Sequence, residues 1–109
     1  MSKFDDAIEK YAADLDAMGG HDADLLKKVS KALGPSIYNK DSSTVACSDK
    51  EELARVKKNF LIKKLGMEDS DKLDDAIAAV CKEYDKRHKH RAVFYYKLVK
   101  ALGKESSYE

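Results

Sequence analysis

The sequence predicts an all-α fold: a compact bundle of about five helices forming a single domain over residues 1–109, with one longer ordered loop between helices 2 and 3. Three observations carry this. Apolar residues recur at intervals of three and four along most of the chain, the spacing that lines one face of a helix. Glycines stand where those runs stop, at positions 19, 20, 34, 66 and 103. No segment reads as a convincing strand with a partner to pair with.

In the first helix Phe4, Ile8, Tyr11, Leu15 and Met18 share a face, and Gly19 and Gly20 stop it. A second helix starts at Asp22, whose carboxylate can cap free backbone N–H groups, and buries Leu25, Leu26, Val29 and Leu33 before Gly34 and Pro35 end it. The third has overlapping capping boxes, Ser48 with Glu51 and Asp49 with Glu52, and a buried face of Leu53, Val56, Phe60, Leu61 and Leu65. After Gly66, Ser70 or Asp71 caps a fourth helix whose inner face is Leu73, Ile77, Val80, Cys81 and Tyr84.

The segment Ala92 to Leu102, AVFYYKLVKAL, is apolar at nine of eleven positions and superficially resembles a buried strand. A lone strand would have no ladder partner, so it reads as a helix whose only wet side is marked by Lys97 and Lys100. It is either the centre of the bundle or half of a subunit interface. Three helices end alike, in KALG, KKLG and KALG at Gly34, Gly66 and Gly103. Unequal spacing and unlike intervening segments make these Gly C-caps with Lys at the negative end of the helix dipole, not a repeat.

Lys plus Arg number 21 and Asp plus Glu 20, so a net charge of +1 supplies no global field for nucleic acid or membrane, and such binding would need a local patch. Charge is nevertheless segregated: residues 1–26 carry seven acids against two lysines, and residues 82–104 eight bases against two acids. These regions are expected to complement one another within the molecule or between two copies. Cys47 and Cys81 form no CxxC pair and have no histidine at zinc-finger spacing, and no signal peptide precedes Phe4. The longest apolar run, Ala92 to Tyr96, is far shorter than the roughly twenty residues of a membrane span. A soluble protein of the reduced cytoplasm is expected.

The stretch GPSIYNKDSSTVACSD, Gly34 to Asp49, is rich in turn and cap residues and reads mainly as a connector tacked to the core by Ile37, Tyr38, Val45 and Ala46, with one helical turn near Ser43 to Cys47. Tyr38, Asn39, Asp41 and Thr44 are its candidate ligand- or partner-contacting surface, since ordered long loops are often functional. It contains serines, a threonine and a cysteine but no histidine to act as base, and the chain has no GxSxG elbow, phosphate loop or HExxH. No catalytic residue and no cofactor is expected.

KEYDKRHKHR, Lys82 to Arg91, is followed directly by Phe94, Tyr95 and Tyr96. Lys86, Arg87, Lys89 and Arg91 are therefore candidate contacts for a partner, an anion or nucleic acid, through phosphate pairing and base stacking. The competing account is a solvated helix end complementing the dipole, with the aromatics buried. Cys81, Asp85 and His88 would share a face if the fourth helix continued and, with His90, have the composition of a zinc site, yet Cys81 is more economically a small core residue. The acidic run Glu68 to Asp75 is no calcium loop, because Asp74 stands where the sharp-turn glycine belongs and Val80 where the bidentate glutamate belongs.

LGPSIYNKDSSTVACSDKEELARVKKNFLIKKLG and HRAVFYYKLVKALGKESSY resemble a family of small bacterial proteins catalogued as a domain of unknown function, DUF2853. The resemblance runs from the first helix to Tyr108 and implies a bacterial origin and a compact helical domain that stands alone. It brings no activity, cofactor or catalytic residue. Helical faces and segregated charge without convergent reactive groups point to a non-enzymatic module that binds another protein or itself, as a homodimer in the latter case. The alternatives are weak nucleic-acid binding by the basic segment and small-molecule binding at the loop.

Overall fold

The C-terminal helix takes the centre because no other segment offers as much apolar surface on all sides. In the computed structural model, which describes residues 3–20, 22–38, 43–84 and 89–104, helix α5 (Arg91–Leu102) buries Ala92, Val93, Phe94, Tyr95, Tyr96, Leu98 and Val99. Each large apolar side chain so buried contributes roughly 1.5–3 kcal/mol. Of the two sequence readings for this helix, the central one holds. Four further α-helices are found among the described residues: α1 (Lys3–Ala17), α2 (Ala23–Leu33), α3 (Lys50–Arg55) and α4 (Asp71–Glu83). Helices α2 and α4 pack directly on α5, and the acidic α1 lies against both α2 and α5, joining the oppositely charged ends of the chain within one molecule.

The starts of α2 and α3 follow the capping chemistry of the sequence, whereas Ser70, at the cap position of α4, makes no side-chain capping bond. Asp22 Oδ1 accepts the amides of Asp24 and Leu25 at 3.1 and 3.3 Å, and the Asp22 amide itself donates to the Tyr96 hydroxyl at 2.6 Å, which fixes the start of α2 to α5. Asp49 caps α3 in the same way, through the amides of Glu51 and Glu52. Its capping box is only half made, because the Glu52 carboxylate turns to Arg55 and Arg91 instead of back to the cap. Gly34, Gly66 and Gly103 all have φ between 65 and 68°, the left-handed backbone that a helix stop demands and that side chains resist.

Three local expectations are corrected. The third helix does not run evenly: after Arg55 it widens into a π-helical segment, Val56–Ile62, seen in the Lys63 amide bonding Lys58 O at 3.2 Å and the Leu65 amide bonding Phe60 O at 3.0 Å, both five residues back. Apolar spacing barely distinguishes the two helices, and Phe60 and Leu61 are buried as expected.

The helical turn anticipated near Ser43 to Cys47 is instead a short strand, β1 (Thr44–Val45), antiparallel to β2 (Lys89–His90), with Thr44 opposite His90 and Val45 opposite Lys89. The helical turn in this region comes earlier, as a 3₁₀ segment at Gly34–Tyr38. A two-residue pairing leaves no periodic trace in sequence, and its partner lies more than forty positions away. Finally, Cys47 and Cys81 are joined in a disulfide with Cα atoms 5.9 Å apart. The expectation of free thiols is thereby overturned, and with it the ground on which a reducing compartment was inferred. No helix among the described residues is long and apolar enough to cross a membrane.

Candidate functional site

Two concave regions stand out on the surface, on different elements. The larger, of about 790 Å³, is a groove between the α3–π stretch and α4. Its apolar floor comes from Leu53, Ala54 and Ile62 on one wall and Ile77 and Ala78 on the other. Lys57 spans the walls, its Nζ 2.9 Å from Asp69 and 3.0 Å from Asp74, and these hydrogen bonds raise its pKa above the usual lysine value. Lys50, Lys58 and Lys63 line the groove as well and make no ion pair among the described residues. The disulfide ties the two walls together, since Cys47 lies three residues before Lys50 and Cys81 three residues after Ala78. Periodicity found the inward faces of these helices but not the groove, because the π segment and the disulfide set the spacing of its walls.

Of the four candidate contacts in the basic segment, the structure describes two, Lys89 and Arg91. Lys86 and Arg87 lie outside the described residues, as do Asp85 and His88, and Lys89 sits in β2. Arg91 is turned inward. Its Nη2 bonds Glu52 Oε1 at 2.5 Å and Thr44 O at 3.4 Å, its Nη1 meets the Tyr95 hydroxyl at 2.9 Å, and its amide bonds Ser43 O at 2.7 Å. Burial opposes the charge on Glu52, but hydrogen bonds from Arg55 and Arg91 outweigh it and hold the carboxyl below the usual range. The aromatics proposed for base stacking are in the core: Phe94 is 0% exposed, and Tyr95 stacks on Phe60 with ring centroids 3.9 Å apart. In a zinc site Cys81 would be a thiolate ligand, whereas here its sulfur is in the disulfide.

The smaller region, of about 450 Å³, lies beside the 34–48 stretch. Tyr38 lines it and is 48% exposed, whereas Thr44 is half-buried in β1; Asn39 and Asp41 lie outside the described residues. Beneath it is a polar cluster missed in the sequence. Asp14, 9% exposed, accepts the Tyr84 hydroxyl proton in a short hydrogen bond and lies 3.9 Å from His90 Nε2. The His90 amide donates to the Tyr84 oxygen at 3.1 Å, and the imidazole packs against the Tyr11 ring at 5.1 Å. Burial first, and then the Asp14 bond, push the Tyr84 pKa far up, so the phenol stays protonated as donor. Burial raises Tyr11 too, with a contribution from neighbouring Tyr38. One signal was available: Asp14 falls within the apolar stripe of α1, between Tyr11 and Leu15, where an acid must find a buried partner.

These arrangements combine concave surfaces with satisfied buried polar groups, and neither aligns a nucleophile with a base and an orienting group. No curated protein matches the chain significantly. A family profile described as a protein of unknown function does match, over residues 10–106. With nearly the whole chain covered, from within α1 past the end of α5, the protein belongs to the DUF2853 family.

Proposed function

We propose that this chain is a non-enzymatic binding module, and that its partner is another protein presenting an acidic amphipathic helix to the groove between α3 and α4. The observation that carries this reading is the groove's composition: an apolar floor edged by Lys50, Lys58 and Lys63, three cations without ion pairs among the described residues. Apolar anchors supply affinity in such grooves, and rim charges supply orientation and encounter rate. The π-helical wall supports the reading, because such segments recur at functional sites. A partner other than a second copy is favoured because α1, the acidic helix of this chain, already turns its apolar residues inward.

The test is fluorescence anisotropy with a labelled acidic amphipathic helical peptide, its scrambled isomer and a version with Lys in place of Glu. The acidic peptide is expected to bind, to weaken as salt rises, and to lose roughly tenfold affinity or more on Leu53→Asp or on Lys58→Glu combined with Lys63→Glu. Equal binding of the three peptides, or indifference to these substitutions, would overturn the reading.

A further inference from the structure

We propose that the cleft between α1 and the Gly34–Tyr38 turn binds a small, flat aromatic acid, with Lys3 and Lys10 meeting the anion and Tyr11 and Tyr38 flanking the ring. At about 450 Å³ the cleft is within the size range of small-molecule sites, and it shares no lining residue with the α3–α4 groove. Four features define the ligand. Lys3, Ala7 and Lys10 fall at i, i+4 and i+7 on α1, so one helix face places both ammonium groups along one edge of the cleft. Neither lysine makes an ion pair among the described residues, and among the described lining residues two lysines face one carboxylate, Asp6, a balance that suits a monoanion.

The walls are aromatic and apolar. Tyr11 is buried at the base, Ile37 is buried in the turn, and Tyr38 is the exposed large hydrophobic side chain among the described residues, with ring surface accessible to a planar guest. The floor is rigid and polar. His90 is held against Tyr11 by its amide bond to the Tyr84 hydroxyl and by Asp14 behind it, so the imidazole lines the cleft in a defined position, and Ser43 lines it alongside. Asp14 does not line the cleft, and its carboxylate is engaged behind the floor by Tyr84 and His90.

The experiment uses the full chain and two matched probes, benzoate and its neutral twin benzamide, titrated while backbone amide NMR shifts are followed, with acetate as a control for charge alone. Benzoate is expected to give saturable shifts centred on Lys10, Tyr38 and His90 and to bind about tenfold more tightly than either benzamide or acetate. Lys3→Ala with Lys10→Ala should erase the preference over benzamide, and Tyr38→Ala the preference over acetate; all three side chains are exposed, so the variants should keep the native fold. Equal affinity for benzoate and benzamide, shifts that fail to saturate, or shifts centred elsewhere would overturn the proposal, and the comparison of probes on the native protein decides it without any variant.

Discussion

The Glu52–Arg91 pair and Ser30 show how differently this molecule treats polar groups withdrawn from water. Glu52 and Arg91, 16% and 15% exposed at their side chains, are held by mutual hydrogen bonds that lower the glutamate pKa from its ordinary 4.5. A group with a depressed native pKa binds fewer protons folded than unfolded, so its contribution is full above the ordinary value and disappears as pH falls through the native one. Glu52→Gln is therefore expected to be less stable than the native chain by about 1–3 kcal/mol at pH 7, with the gap closing in acid below its lowered pKa. Urea midpoints measured at pH 7 and at successive values below 4.5 check this, and a gap that widens in acid would reverse the assignment. Ser30 is the opposite case: its Oγ is fully buried in α2 with no partner among the described residues. Ser30→Ala removes an unsatisfied hydroxyl and adds helix propensity, and should stabilise by about 1 kcal/mol in the same assay.

At the scale of elements, the disulfide joins the entrance of α3 to the end of α4 across 34 residues of chain. Loop closure of that length restricts the unfolded chain and is worth about 3–4 kcal/mol on the chain-entropy account. Cys47→Ser with Cys81→Ser should lower Tm by more than about 10 °C, and thiol titration of the denatured native protein should find free sulfhydryls only after reduction. An unchanged Tm would mean that the contacts of β1 and the Asp49 cap hold this corner alone. These same elements mark the limit of what the sequence disclosed. Helices whose faces, caps and glycine stops are local, such as α1, α2, α4 and α5, were legible in order and type from periodicity and capping chemistry. The β1–β2 pair, the π segment and the Cys47–Cys81 bond were not, because each depends on distant partners or on a single extra residue per turn. The groove depends on two of these three, so its walls were readable as helices while its shape was not. The cleft was half legible: Tyr38 was singled out, but Lys3 and Lys10 passed as the solvated face of α1.

For the molecule as a whole, the position of α5 decides how much apolar surface is left to bind anything. Had this helix formed half of a subunit interface, one of its faces would be open; instead its large residues are enclosed by α1, α2, α4 and the β1–β2 pair. The acidic α1 meets the basic C-terminal region through Asp14 and His90 in the same chain, so the charge segregation that would favour docking between copies is at least partly used internally. The largest apolar concavity among the described residues is the α3–α4 groove, and its lysine rim repels the same rim on a second copy. The chain is accordingly expected to be monomeric in isolation, scattering X-rays as a particle of 12.2 kDa with a radius of gyration near the 12.9 Å of its Cα trace. A mass that doubled with concentration would contradict this, and its response to Lys58→Glu with Lys63→Glu would say where the copies meet. Dissociation would place the interface on the groove and make a second copy its occupant, displacing the acidic helix of another protein from that role. Persistence would leave the groove open for such a partner and move self-association to another face.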